Sequence, residues 1–170
     1  MALKFVNLFP FAYDIKKYFG NMKIQMMKRL TSIPELNIAF FSFLLNFAWE
    51  VIQTPFFVDI STEVNTIIWY RFHCTLGDVM ISLAGFWFVA LILRSRNWCL
   101  NPTKKKLLLF VAFGVSYTIF SEIKNVSLYK LWAYSDFMPV IPYIDVGIVP
   151  LIQWIILPPL LVYIVRRQLS

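Results

Sequence analysis

Three carboxylates stand where carboxylates are costly. Glu50, Asp78 and Glu122 each fall within a long apolar run, and a charged side chain at mid-membrane depth costs about 2.5–3.5 kcal/mol on insertion scales. Each sits in a row of polar or small residues at helical spacing. Ser42, Asn46, Glu50 and Gln53 follow at steps of four, four and three, so they share one face of a helix. Arg71, Cys74, Asp78, Ser82 and Gly85 repeat the pattern, as do Gly114, Thr118, Glu122 and Asn125. Carboxylates held this way can orient a ligand, pair with a cation, or take up and return a proton as general acid and base.

The basic groups near this layer are Arg71, His73 and Lys124. Asp78 and Glu122 could also be structural ion pairs with Arg71 or Lys124. Ser42, Asn46, Ser82 and Thr118 suit hydrogen bonds that pack one membrane helix against another. His73 precedes Cys74 and lies five residues before Asp78. With no second histidine or cysteine on that side, the sequence assigns no metal and no cofactor. A proton-handling role beside Asp78, or an interfacial histidine, is the reading that remains.

The candidate ligand-binding set is therefore Asn46, Trp49, Glu50, Gln53, Arg71, His73, Asp78, Glu122, Trp132, Tyr134, Asp145, Gln153 and Trp154, with Trp49, Trp132 and Trp154 as walls. No residue is singled out as catalytic, and whether any reaction occurs is left open.

These residues need elements to hold them, and the composition says which. The chain is 59% hydrophobic and 15% charged, against about 45–50% and about 25% in soluble domains. A helix crosses the hydrocarbon layer with about 20 apolar residues. Four stretches qualify: 36–58, 74–93, 107–126 and 147–165. Residues 59–73 and 127–145 are expected as extracytoplasmic connections. In the second of these, Trp132, Tyr134 and Tyr143 suit the headgroup level. Pro55 and the pair Pro158–Pro159 are expected to bend their helices.

Thirteen of the sixteen basic residues precede the first stretch, join the second to the third, or follow the fourth. Lysine and arginine mark the cytoplasmic side, so both termini are expected there, in a bacterial inner membrane. The net charge of +7 then reflects topology and attraction to anionic lipid rather than nucleic-acid binding. No cleavable signal peptide is expected, and the first span directs its own insertion. Cys74 and Cys99 are expected on opposite faces, unpaired. Residues 1–34 carry Phe11, Ile15, Tyr18, Phe19, Met22 and Met26 at helical spacing, with Lys16, Lys17 and Lys23 off that stripe. The expected fold is thus all-α: an N-terminal amphipathic interfacial helix in 1–34, then a four-helix transmembrane bundle over 35–170.

The motifs "NFAWEVIQTP", "CTLGD", "WAYSDFMPVIP" and "GIVPLIQWIILPP" resemble a family of small bacterial integral-membrane proteins with no established activity. The resemblance covers Asn46 to Pro159 and implies membrane location alone. In architecture the chain is also similar to sterol isomerases and sigma-2-receptor-like proteins, whose carboxylates face an intramembrane pocket for sterols or amphiphilic amines. It departs from them in lacking a histidine near the glutamate of its first span. Small multidrug-resistance transporters likewise place a key glutamate in the first of four helices, without the long aromatic loop.

Three functions follow as expectations. The first is a pocket in the extracytoplasmic half of the bilayer that binds or acts on a lipid-like or isoprenoid-like ligand through its carboxylates. The second is a structural or assembly subunit, docking a partner membrane protein or a second copy. The third is a proton-coupled small-molecule transporter with Glu50 as the coupling group. The inner half of the second stretch, "FWFVALIL", offers no polar continuation for a transport path.

Overall fold

The computed structural model describes residues 22, 25, 32–58 and 63–170. Met22 and Gln25 are helical; the rest of the expected amphipathic arm lies outside the described residues. Four helices are long and apolar enough to cross a membrane, which makes the chain a mostly helical, multi-pass membrane protein. They are α1 (Pro34–Gln53), α2 (Val64–Leu93), α3 (Lys104–Glu122) and α4 (Ile148–Leu169).

Local chemistry explains where each begins. Pro34 opens α1 at the position where a missing N–H costs nothing, with Glu35 in the same turn. The Thr103 side chain caps α3 by accepting from the Lys106 amide. Lys104, Lys105 and Lys106 in that first turn oppose the helix dipole, so the dipole does not account for them. Helix α4 has Pro150 in its first turn and runs unbroken through Pro158 and Pro159.

Two boundaries differ from expectation. Helix α2 starts at Val64, ten residues before the expected Cys74, and spans 30 residues, about 45 Å. Arg71 and His73 therefore stand on a helix rather than in a connection. Asp78 lies in the middle of α2, not one turn inside its start. Val64, Ile67 and Ile68 continue the helical register where the mixed polarity of the segment suggested a loop. Beyond Glu122, α3 widens into π-helical turns over Ile123–Leu128. The following connection is not wholly irregular either: β1 (Val140–Ile141) and β2 (Val146–Gly147) pair antiparallel. Tyr143 and Asp145, in the tight turn between them, take positive φ. Tyr143 is fully exposed at the tip.

In the bundle, α1 packs against α2 and α4, and α3 completes the ring by packing against the same two helices. Its pattern is inside-out. Helix α1 buries Asn37, Ser42, Asn46, Glu50 and Gln53 and exposes Phe40, Leu44, Val51 and Ile52. A soluble helix does the reverse; in lipid the polar side must turn inward.

The two ends of the ring are built differently. Toward the ends carrying Arg94, Arg96, Lys104–Lys106 and Arg166–Arg167, the interior is apolar: Ile38, Phe86, Val89, Trp98, Phe110, Leu161, Val162 and Val165 form one buried cluster. Trp98 in the α2–α3 connection donates its indole N–H to the Phe86 carbonyl at 3.1 Å, which plugs that end. An Arg96–Glu35 fork, at 2.6 and 2.7 Å, ties the connection to the start of α1. The opposite half is polar and open inside.

Candidate functional site: a polar cavity between the helices

The polar half encloses a cavity of about 330 Å³. Glu50 and Gln53 reach it from α1. Arg71, His73, Cys74, Gly77 and Asp78 line it from α2, and Thr118, Ser121 and Glu122 from α3. Gln153 and Trp154 line it from α4, and Trp132 from the long connection. The three carboxylates of the polar stripes thus open onto one space. The burial rule in lipid accounts for this assembly: each stripe is the part of its helix that is costliest to leave against hydrocarbon.

Each carboxylate is gripped on one oxygen. Gln53 Nε2 donates to Glu50 Oε1 at 2.6 Å, and Trp49 Nε1 holds Gln53 in turn at 3.1 Å. Gln153 Nε2 donates to Asp78 Oδ2 at 3.0 Å and to Asn46 Oδ1 at 2.8 Å. Asn46 passes the chain on through its amide to the Ser42 hydroxyl, and Ser42 donates to Ser82. Tyr134 O–H donates to Glu122 Oε2 at 2.5 Å, and Trp132 Nε1 approaches the same oxygen at 3.4 Å. The Arg71 guanidinium stands 3.9 Å from Glu50 Oε2 and lies over the Phe57 and Tyr70 rings.

Tyr134 reaches Glu122 because the connection is stitched to the end of α1. Phe57 and Tyr134 form a β-bridge, Ser135 donates its amide to the Phe56 carbonyl and its hydroxyl to the Pro55 carbonyl, and Gly147 N–H donates to the Tyr134 hydroxyl at 2.9 Å. A side chain at Gly147 would press on Met138 and the Tyr134 ring. Burial, and then the hydrogen bond to Glu122, raise the Tyr134 phenol pKa above its ordinary value, so this phenol is a proton donor and not an anion.

Of the thirteen residues expected from the sequence, nine line the cavity: Glu50, Gln53, Arg71, His73, Asp78, Glu122, Trp132, Gln153 and Trp154. Asn46 does not; it lies one layer deeper, beside a void of about 10 Å³ shared with Ser42 and Ser82. Trp49 is no wall either, since it braces Gln53 from outside the lining. Tyr134 acts through Glu122. Asp145 is exposed in the ribbon turn and joins none of these contacts. Lys124 sits over the Phe120 and Tyr129 rings rather than beside a carboxylate, and among the described residues the guanidinium of Arg71 is the cation near Glu50.

Sequence reasoning missed Phe57, Tyr70, Tyr117 and Asn125 as lining residues. Asn125 was on the α3 stripe and could have been included. The π-helical turns that begin directly after Glu122 leave no mark in the sequence, though such turns recur at functional sites. Also missed was Gly77, exposed and with no atom within 4 Å of the place a Cβ would occupy.

No group of three or more His, Cys, Asp or Glu side chains among the described residues is disposed to hold a metal ion. Cys74 and Cys99 are both free thiols. The arrangement provides hydrogen-bond acceptors, one guanidinium and aromatic walls in a space that fits a small molecule or headgroup. Comparison of the chain with family models, with curated proteins and with solved structures gave no match.

Proposed function

We propose that the protein is a bacterial inner-membrane protein whose bundle binds, or acts on, a lipid-like or isoprenoid-like ligand in the extracytoplasmic half of the bilayer, with both termini cytoplasmic. The orientation rests on the basic residues gathered at the plugged end. One observation carries the function: a cavity of about 330 Å³ at membrane-helix depth holds three carboxylates and one guanidinium among aromatic side chains. That volume falls within the range of about 300–1,000 Å³ typical of small-molecule sites. A purely structural polar layer would be expected to close on itself with packed hydrogen bonds; this one surrounds space.

The apolar cluster around Phe86, Trp98 and Phe110 weighs against a transport path, since beyond Ser42 and Ser82 the buried interior is apolar apart from Asn37. The reading is tested by native mass spectrometry and lipid analysis of the purified protein beside its Glu50→Gln variant. Glutamine keeps an acceptor for Gln53 and removes the charge. The expected result is a co-purifying apolar or amphiphilic molecule in the wild type and its loss from a variant that accumulates and melts normally. A wild type with no bound molecule, and a variant that fails to accumulate, would favour an assembly subunit.

A further inference from the structure

Each cavity carboxylate has one oxygen held by a protein donor and one that is not. Asp78 Oδ1 and Glu122 Oε1 accept no hydrogen bond from the described residues, and Glu50 Oε2 faces the Arg71 guanidinium at 3.9 Å without a hydrogen bond. Yet Glu50 and Glu122 are 5% and 7% exposed as whole residues, so those oxygens are open to the cavity and to little else. An ionised carboxylate accepts and does not donate, and a cation in the cavity favours that form. Three carboxylates against one guanidinium, in a space walled by Trp132 and Trp154, call for an occupant that is both cationic and rich in N–H donors.

The cavity is not closed all round. Among its lining residues, His73 and Gly77 on α2, Tyr117 on α3 and Val58 beyond α1 are exposed, and a Cβ at Gly77 would stand in open space, so access past Gly77 is not blocked by packing. A volume of about 330 Å³ is at the lower edge for enclosing even one small molecule. It has room for a headgroup and none for acyl chains.

We infer that the cavity takes the primary ammonium group of an amphiphile, which enters sideways between α2 and α3 past Gly77 and leaves its hydrocarbon in the bilayer. This rests on the pocket reading above and names its ligand class. An ammonium supplies three N–H donors and no acceptor, which suits a cavity lined by three carboxylates and one guanidinium, and such charge-assisted bonds are about twice as strong as neutral ones. The ammonium can belong to an aminophospholipid or to a free long-chain amine.

The test uses the full chain in nanodiscs, read by native mass spectrometry after detergent challenge. The discs contain phosphatidylethanolamine, phosphatidylcholine or phosphatidylglycerol, with dodecylamine as a soluble competitor. Phosphatidylethanolamine should be retained at least about tenfold over phosphatidylcholine, whose quaternary nitrogen has no N–H. Gly77→Trp should bring retention down to the phosphatidylcholine level while Leu91→Trp, on an exposed part of α2 away from the cavity, does not, with melting curves verifying that both are folded. Binding of dodecylamine without phosphatidylethanolamine would keep the ammonium and assign it to a free amine. Retention of phosphatidylcholine or phosphatidylglycerol as strongly as phosphatidylethanolamine would overturn the ammonium class and leave the pocket reading standing. Indifference of a retained lipid to Gly77→Trp would overturn the lateral route. No retention of any of these molecules by the wild type would overturn the inference, and an empty protein as purified from its own membrane would overturn the pocket reading with it.

Discussion

Gln153 on α4 and Asp78 on α2 are 75 positions apart in the chain and 3.0 Å apart in space, and the same Gln153 amide nitrogen also donates to Asn46 on α1. One side chain thereby couples three helices at the floor of the cavity. Both N–H groups of its amide are used, so an apolar replacement would leave two acceptors, the buried Asn46 and the cavity-facing Asp78, without this donor.

Gln153→Leu should therefore destabilise the bundle by about 1–2 kcal/mol, near the top of the range measured for hydrogen bonds between membrane helices. Thermal unfolding in detergent measures the loss. A change within error would mean that water replaces the amide at both acceptors.

Two glycines make a matched contrast. A Cβ at Gly114 would lie 2.1 Å from Trp154 Cε3, whereas one at Gly77 meets nothing within 4 Å. Gly114→Ala should cost about 1–3 kcal/mol or more, because a buried indole must move. Gly77→Ala should be neutral or stabilise by about 0.5–1 kcal/mol, through the lower helix propensity of glycine. Paired melting curves decide, and equal effects at both sites would contradict the close approach of α3 to α4 at Gly114.

Tyr134 links the connection to the cavity through Glu122 and the Gly147 amide. Tyr134→Phe should speed amide exchange at Gly147 and its neighbours while leaving exchange in α1 unchanged, since the Gly147 amide loses its acceptor. The pH dependence has a definite sign. The folded protein holds the phenol pKa above its unfolded value of about 10, so the folded state binds that proton more tightly. Stability from this group is complete below about pH 10 and declines as pH rises above it. Tyr134→Phe should weaken the alkaline loss of stability, measured by unfolding between neutral and strongly alkaline pH.

The Arg96–Glu35 fork joins the plugged end with good geometry, but the Arg96 side chain is about half exposed. A double-mutant cycle of Arg96→Ala and Glu35→Gln should give the small coupling usual for exposed ion pairs, falling with added salt. A coupling several times larger would mean that the membrane surface dries this pair.

Most of the frame was legible before any fold was drawn. Apolar length marked four spans, and the period of Ser42, Asn46, Glu50 and Gln53 marked the buried side of α1, because both are local properties of a helix in lipid. The early start of α2 was not legible: Asn65, Thr66 and Arg71 lower its apolar content, and length beyond the bilayer is unconstrained by hydropathy. Glu50, Asp78 and Glu122 were identifiable as a set because burying a charge in hydrocarbon is costly wherever the chain then goes.

Their partners were not, since a hydrogen bond depends on positions that spacing along one helix does not determine. Lys124 looked like a counter-ion by proximity in sequence, yet the π-helical turns carry it onto Phe120 and Tyr129. Tyr134 reaches Glu122 only because the connection is pinned to the end of α1. The sequence by itself determined which faces turn inward, through the energetics of polar groups in lipid. The tertiary structure decided that these faces surround a space, which oxygens remain open to it, and that the other end is sealed by Trp98, because volume left unfilled between helices is a property of their packing together.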